Sequence, residues 1–254
     1  MLISVDKWAA WAPGLESRVD WIAWAHGEKQ AEQNNTYPPL SFVEPMFKRR
    51  LSQLSRMVLE VGNELMSGLD DVRVVFASHY GEIGQQYKIS RSIIESGEVA
   101  PASFSLSVFN TPVALLSIAT KNHGYSTALF GGASAFETAL LDTVAHLHGK
   151  SNAPVVLIVA DELMPEEYNP LIPGRNQPHA FGFLVSRGDR GLLIDAALAA
   201  KARAKSEDSV SADDALKSGS TTGGLQFLSW LLRADKTSDF SSAGSSARWT
   251  FKWV

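Results

Sequence analysis

The 254-residue chain contains no cysteine, which excludes disulfides, thiolate metal ligands and cysteine nucleophiles together. It also has little excess charge, with a formal net charge of -4, and it has no basic run interleaved with aromatic residues. That pattern argues against a nucleic-acid partner. No stretch approaches the roughly 20 apolar residues of a membrane span, and Asp6 and Lys7 interrupt the start of the chain where a signal peptide would be apolar. We therefore expect a cytoplasmic protein without a membrane span.

Hydrophobic residues make up 45% of the chain, enough to bury a substantial core. Short apolar runs typical of buried strands alternate with segments in which apolar residues recur every three or four positions. This alternation predicts an α/β sheet flanked by helices. The predicted strands are 72–78, 126–131, 155–161 and 181–187. Four helices are predicted. The first begins near Phe47 and ends at Gly68, and the second covers 83–96. The third lies buried within 104–120 behind Pro112, and the fourth runs from Phe136 to Leu147.

The two ends of the chain show weaker patterns. Residues 1–47 are predicted to be irregular. Near the other end, 201–224 is polar and rich in turn-forming residues, so a flexible surface segment is expected there. Residues 225–232 are apolar enough for a short docked helix, 238–248 is predicted to be a loop, and the alternation in 249–254 favours an edge strand.

The stretch LFGGASAFETALL (129–141) combines a strand end, a tight Gly-Gly turn and the start of a helix. Enzymes often mount a nucleophile there, because a helix N-terminus stabilises negative charge. Ser134, Asp161 and His179 follow the chain order of one class of serine hydrolases, so a hydrolase or acyltransferase is one hypothesis. Phe136, however, occupies a position that such a turn reserves for glycine. The simpler prediction is that Ser134 caps the helix and that Glu137 completes a capping box.

Three segments, taken in order, resemble a known family. They are VRVVFASHYGEIGQ (72–85), SFSLSVFNTPVALLSIA (103–119) and GYSTALFGGASAFETALLDT (124–143), and VLIVADELMPEEY (156–168) fits the family's next strand and loop. Together they are similar to the N-terminal half of β-ketoacyl synthases, particularly the short synthase-like chains of aryl-polyene and related type II systems. The resemblance covers 45–187. It implies an α/β thiolase-like (ketoacyl synthase) fold formed as a single domain over 1–254, with a complete N-terminal half and a reduced C-terminal region at 188–254.

The resemblance also implies what the turn at 131–134 has lost. The catalytic cysteine of a condensing enzyme falls on Ala133, which has no nucleophilic atom. Active relatives are longer and use two histidines of their C-terminal half, whereas this chain has no histidine after His179. The expected protein is therefore a non-catalytic chain length factor without a cofactor. It would pair with a catalytic β-ketoacyl synthase subunit and transiently meet an acyl carrier protein in polyketide (aryl polyene-like) or fatty acid biosynthesis.

The same resemblance suggests which residues border the partner's acyl tunnel or the subunit interface. Phe109 stands where relatives often carry histidine, and the strand 126–130 is the candidate for the central interface strand. The alternative is that these side chains belong to the core, and a homodimeric scaffold of the same fold also stays open. His146 and His148 are two apart on a helix and lack the spacing of a zinc pair, so no metal is expected. The tunnel and interface candidates are Phe104, Val108, Phe109, Asn110, Thr111, Pro112 and Phe130.

Overall fold

The computed structural model describes residues 2–149, 153–171, 177–187, 192–200, 223–233, 238–243 and 247–254. These residues form an eight-stranded mixed sheet in the order β3-β2-β4-β5-β1-β6-β8-β7. Strands β2, β3 and β4 are parallel to one another, and the remaining neighbours are antiparallel. The strands are β1 (Leu2–Trp11), β2 (Arg73–Ser78), β3 (Ser126–Phe130), β4 (Val155–Asp161), β5 (His179–Ser186), β6 (Leu192–Ala200), β7 (Phe240–Ala243) and β8 (Ala247–Trp253).

Helices pack on both faces of this sheet and give two apolar cores. Helices α1, α7 and α8 contribute to one core, and α3 and α6 contribute to the other. Successive residues of β2 face opposite cores, as the period of a strand requires: Val75 faces the first core and Phe76 the second. The helices are α1 (Arg18–Ala25), α2 (Pro45–Lys48), α3 (Gln53–Met66), α4 (Ile83–Ser96), α5 (Pro101–Ser105), α6 (Thr111–Thr120), α7 (Ala135–Leu147) and α8 (Gly223–Arg233).

The predicted alternation of strands and helices is confirmed in the middle of the chain. Every residue of β4 is buried, which explains its nearly continuous apolar sequence. Helix α3 buries its apolar stripe and ends just before Gly68, whose φ of +80° suits a residue without a side chain. Helix α4 likewise ends at Gly97, which adopts the left-handed conformation.

The prediction that residues 1–47 are irregular is wrong, because β1 lies inside the sheet between β5 and β6. The register between β1 and β5 shifts between Val5 and Lys7, which marks a bulge at Asp6. The extra residue breaks the period-two pattern that would have revealed the strand, and Asp6 accepts a hydrogen bond from the Ser4 hydroxyl at 2.8 Å. Because Asp6 and Lys7 are charged, the sequence did not indicate this central strand. Helix α1 follows β1 in the chain.

The segment 104–120 is not one buried helix. It contains the end of α5, a turn and then α6, with Pro112 in the first turn of α6, where proline has no hydrogen bond to lose. Phe104 and Val108 are 62% and 44% exposed, and Ile118 within α6 is 63% exposed. An all-round apolar sequence therefore does not correspond to all-round burial in the isolated chain.

The C-terminal predictions hold for the helix and fail for the strands. Helix α8 covers the predicted 225–232, but β8 is not an edge strand, because it lies between β6 and β7. The edge is β7, in the segment predicted to be a loop. Its hydrogen bonds to β8, rather than any pattern of its own, make it a strand. Most of the predicted flexible segment, 201–222, lies outside the described residues.

Candidate functional site

The carboxyl ends of three parallel strands meet at one edge of the sheet, where open α/β sheets commonly place their sites. Asp161 ends β4 there and is buried. Its Oδ1 accepts hydrogen bonds from the Ser78 hydroxyl at 2.7 Å and from the backbone N–H groups of His79 at 2.8 Å and Tyr80 at 3.1 Å. One carboxylate therefore holds together the ends of β2 and β4.

The Gly-Gly turn, where the family resemblance places the nucleophile position, follows β3 at this edge. A side chain on Gly131 would lie 2.5 Å from the Ala135 Cα, and Gly132 has a φ of +52°, so the backbone path requires both glycines. A 3-10 turn over Gly132–Ser134 then leads directly into α7. Ala133 is exposed at the N-terminal end of this 13-residue helix. A thiolate at this position would be stabilised by the positive end of α7, but Ala133 carries no sulfur.

The predicted capping box is wrong. The Ser134 side chain makes no capping hydrogen bond to α7. The Glu137 carboxylate instead accepts a hydrogen bond from the Ser242 hydroxyl of β7. A side chain on Gly223 would lie 2.4 Å from Glu137 Oε1, so the carboxylate sits against the start of α8. Because Glu137 is buried, a distant donor replaces the local backbone as its partner.

A cavity of about 10 Å³ lies behind Ala133. This volume is close to the minimum for one water molecule and far too small for an acyl chain. Its lining joins the turn to β2, β4, α7 and α8. The lining residues are His79, Gly132, Ala133, Ala135, Phe136, Val159, Asp161, Gly223 and Gly224.

Phe136 and Gly224 close this cavity from two helices. The Phe136 ring is buried, with its centroid 5.1 Å from that of Phe227 in α8. A Cβ on Gly224 would lie 2.5 Å from the Phe181 ring and 2.9 Å from the Phe136 Cβ. The helix that follows the turn therefore packs through a phenylalanine, and the glycine that permits close approach lies on the other helix. No local sequence signal links the two positions.

The hydrolase alternative required Ser134, Asp161 and His179 to form a hydrogen-bonded relay. Asp161 and His179 are register partners in β4 and β5. The Asp161 carboxylate, however, is engaged by β2, and His179 Nδ1 lies 2.8 Å from the backbone carbonyl of Gln177. His179 Nε2 is buried without a hydrogen-bond partner among the described residues. The structure does not bring these three residues together as a triad.

Phe109 lies between the core and the surface. Its ring centroid is 6.0 Å from that of buried Phe76 and 5.7 Å from that of Phe130, which is 70% exposed at the end of β3. Gly81 beneath it has a φ of +62°, and a Cβ there would lie 2.6 Å from the Phe109 ring. Aromatic rings thus form a row from the core to the exposed end of β3, and the structure brings two of the candidate residues together.

The other candidates divide between the surface and the core. Phe104 and Val108 are exposed, whereas Thr111 and Pro112 are buried in the first turn of α6. Asn110 is the N-cap of α6 but makes no side-chain capping bond. The alternative that some candidates are simply core residues fits Thr111 and Pro112.

Strand β3 forms one end of the sheet, and β2 is its neighbour. The segments next to it carry exposed apolar or aromatic side chains: Tyr125 directly before it is 65% exposed, and, in the two helices that contact it, Ile118 of α6 is 63% exposed and Leu141 of α7 is 48% exposed. An unpaired strand edge bordered by apolar groups is a template for association with another chain.

Two buried carboxyl groups near the same sheet edge carry unusual electrostatics. Burial, together with neighbouring Glu162, raises the pKa of Glu82 to about 7, and burial raises the pKa of Glu162. Burial also lowers the pKa of His79, against the opposing influence of Asp161. The sequence alone gave no sign of Glu82, because a glutamate in a Gly-Glu turn normally points into solvent.

A second, wider cleft of about 510 Å³ lies between β1, α1 and α3, away from Ala133. Three of its charged groups already have partners: Lys7 donates to the Ser67 carbonyl, and Arg18 contacts Glu64 at 3.3 Å and stacks over Trp8. Among the described residues, no group of histidine and carboxylate side chains could hold a metal ion. No helix in the part of the chain that the structure describes has the length and apolar character to span a bilayer.

Known proteins identify this architecture. A structure of the ketosynthase ApeO in complex with its chain length factor ApeC from Xenorhabdus doucetiae is similar at a TM-score of 0.77 and 23% identity, covering 99% of each chain. The ishigamide ketosynthase/chain length factor structure matches at a TM-score of 0.77 and 11% identity over 100% of each chain. A β-ketoacyl synthase from Burkholderia phymatum STM815 gives a TM-score of 0.60 and 11% identity, covering 78% of this chain and 64% of that one.

These likenesses confirm the predicted thiolase-like ketoacyl synthase fold. No curated protein matches the chain. The family described as "Beta-ketoacyl synthase, N-terminal domain" matches residues 21–253, a wider range than the predicted 45–187. By this match over most of its length, the chain belongs to the β-ketoacyl synthase N-terminal-domain family.

Proposed function

We propose that this chain is a non-catalytic chain length factor that completes the acyl tunnel of a β-ketoacyl synthase. The observation that carries the proposal is the alanine at the family's nucleophile position, backed by a cavity of about 10 Å³. Decarboxylative condensation needs a thiolate to accept the acyl group and a channel to hold it. The turn at Ala133 offers neither. Similar chains occur in structures of a ketosynthase with its chain length factor, which supports this assignment.

The partner is a catalytic ketosynthase subunit, docked along β3. Stable interfaces bury large apolar areas, and the exposed groups around this edge would supply one. Pairing through β3 would also bring the row of Phe109 and Phe130 against the partner. The growing chain reaches this pairing as a thioester on an acyl carrier protein, which meets the complex only transiently. The product class is a type II polyketide of the aryl-polyene kind or a fatty acid.

Chain length would be set by steric exclusion. A rigid ring at the tunnel floor stops elongation when the next unit overpacks the cavity, at about 1–3 kcal/mol. That cost shifts product partition by roughly ten- to a hundredfold. Phe109 suits this role because Phe76 and Gly81 fix its ring from behind while Phe130 continues toward the surface.

Co-expression with a candidate ketosynthase tests the pairing. We expect a stable complex that Phe130→Asp weakens at least tenfold, because a carboxylate would be buried against apolar groups. Val19→Asp is the matched control, since Val19 is 75% exposed on α1. A complex that tolerates Phe130→Asp would contradict the docking surface. Self-association through the same strand, with no affinity for any ketosynthase, would instead establish a homodimeric scaffold.

Product analysis of the complex tests the tunnel. We expect Phe109→Ala to lengthen or broaden the products, whereas Ile94→Ala, at a position 84% exposed on α4, leaves them unchanged. Unchanged lengths for a folded Phe109→Ala complex would remove Phe109 as the length-setting residue. Labelling of Ser134 in the native chain by a fluorophosphonate would favour the hydrolase instead.

A further inference from the structure

Helix α4 is attached to the rest of the molecule mainly through its first two turns. None of its residues is buried, and every residue from 93 to 98 is exposed. Its described hydrogen bonds to segments other than its own flanks come from Gly84, Gln86 and Tyr87: the Gly84 N–H donates to Glu162, the Gln86 amide to the Ser107 carbonyl, and the Tyr87 hydroxyl to Glu167. The contacts at the first turn of α4 therefore determine how stably the helix is attached to the rest of the chain.

Two buried carboxyl groups hold that first turn. Glu162 Oε1 accepts from the Gly84 N–H at 2.7 Å, and the same side chain accepts from the backbone of Leu54 in the first turn of α3. Glu82, the N-cap residue of α4, reaches back to α3, where its Oε1 accepts from the hydroxyls of Ser52 at 2.9 Å and Ser55 at 2.7 Å. The pair thus ties the N-termini of α3 and α4 to the end of β4.

The two groups have different surroundings. Glu162 receives backbone N–H groups at two helix N-termini, which favours its ionised form. Glu82 is fully buried, and its Oε2 has no hydrogen-bond partner among the described residues. An ionised Glu82 carboxylate whose Oε2 is buried without a hydrogen bond carries a high free-energy cost, and protonation removes that cost. The other charged groups that face the pair are Lys88 on α4 and Asp161 at the end of β4, whereas the start of α3 contributes the two hydroxyls and the Leu54 backbone.

We propose that Glu82 is protonated in the folded chain beside an ionised Glu162, and that the attachment of α4 weakens as this proton is lost. The device is independent of any partner or of the proposed tunnel. Because proton binding by Glu82 is linked to the attachment of α4, the shift in the pKa of Glu82 sets the direction of the pH dependence. The pKa of Glu82 is raised in the folded state to about 7 from an ordinary value of 4.5. The attachment is therefore strongest at pH values below about 4.5 and weakens by roughly tenfold per pH unit up to about 7, where it levels off.

Hydrogen–deuterium exchange of the full-length chain tests the proposal. Protection factors of the amides at 84–88, corrected for intrinsic exchange rates, are compared between pH 5 and pH 7.5. We expect wild-type protection to fall by roughly fiftyfold, the change that these two pKa values imply. Glu82→Gln keeps the shape and cannot titrate, so its protection should change less than threefold. Glu95→Gln, an exposed change in the last turn of α4, should behave like wild type.

Two results would overturn the proposal. The first is wild-type protection at 84–88 that does not change between the two pH values. The second is a Glu82→Gln variant that retains the wild-type slope. If Glu82→Gln does not fold, Glu162→Gln supplies the measurement: removal of the neighbouring charge should move the fall in protection to lower pH, and an unmoved transition would refute the pairing. None of these results depends on a ketosynthase, so the proposed function is tested separately.

Discussion

Ala133→Cys places a thiol at the predicted nucleophile position of a chain that has no cysteine, so its chemistry can be measured without background. Both ends of α7 are available for comparison, because Ala133 precedes the helix, Ala145 lies in its last turn, and both are exposed. A cysteine at 133 should have a lower pKa than one at 145. Each helix end contributes about 0.3–1 kcal/mol to an exposed charge, with opposite signs. The free energy of a thiolate should therefore differ by about 0.6–2 kcal/mol between positions 133 and 145.

At about 1.4 kcal/mol per pKa unit, this energy corresponds to a pKa difference of roughly 0.5–1.5 units. Asp142, one turn before Ala145, adds in the same direction. The measurement is the pH dependence of iodoacetamide alkylation of each single-cysteine variant, followed by mass spectrometry. Equal pKa values, or a lower value at 145, would refute the inference that the start of α7 favours a thiolate at position 133.

The second half of this prediction concerns the acyl group. A cavity of about 10 Å³ cannot hold an alkyl chain, so the new thiol gains no affinity for acyl thioesters. With a medium-chain acyl thioester, Ala133→Cys should be acylated no faster than Ala145→Cys, once the two rates are corrected for thiolate fraction. A rate more than tenfold higher at 133 would reveal an acyl site that the described structure does not contain.

Three further predictions test the surroundings of the turn. Asp161→Asn should lower the free energy of unfolding by about 2–3 kcal/mol in urea denaturation, because three charge-assisted hydrogen bonds become neutral ones; an unchanged midpoint would contradict a structural role for this carboxylate. Gly224→Ala should cost about 1–3 kcal/mol in the same assay through overlap with the Phe181 ring, whereas Gly27→Ala, where a Cβ meets nothing within 4 Å, tests only the strain of a positive φ. His79 has a folded-state pKa below its ordinary 6.5, so it contributes stability above that pH and loses it as the pH falls through the folded value. His79→Asn should therefore flatten the acid side of the melting-temperature profile, and an identical profile would show that His79 does not titrate on unfolding.

The middle of the chain could be predicted because local pattern and tertiary role agree there. The seven residues of β4 are buried on both faces, so the sequence is apolar throughout and the strand was evident. Gly68 and Gly97 end their helices with the positive φ values that glycine allows. The alanine at 133 is likewise a fact of sequence, although its meaning came from the family resemblance.

The errors occurred where a partner distant in sequence decides the structure. A bulge at Asp6 hid β1, and β7 is a strand only because β8 pairs with it. Glu137 was predicted to cap its own helix, but it bonds to Ser242, which lies 105 residues away. Local propensity cannot anticipate such pairings, since they follow from packing two helices and a sheet together.

Two conclusions follow from the amino-acid sequence alone: the turn at 131–134 carries no thiol, and the middle of the chain forms an α/β sheet. Side-chain chemistry and periodicity are local properties, so no fold is needed to establish them. Three other features required the folded chain: the cavity behind Ala133 has room for about one water molecule, Phe109 joins the core to the exposed end of β3, and Glu82 and Glu162 are both buried. Each of these depends on surfaces that meet only after distant segments have packed, because burial and close approach are properties of the assembled fold.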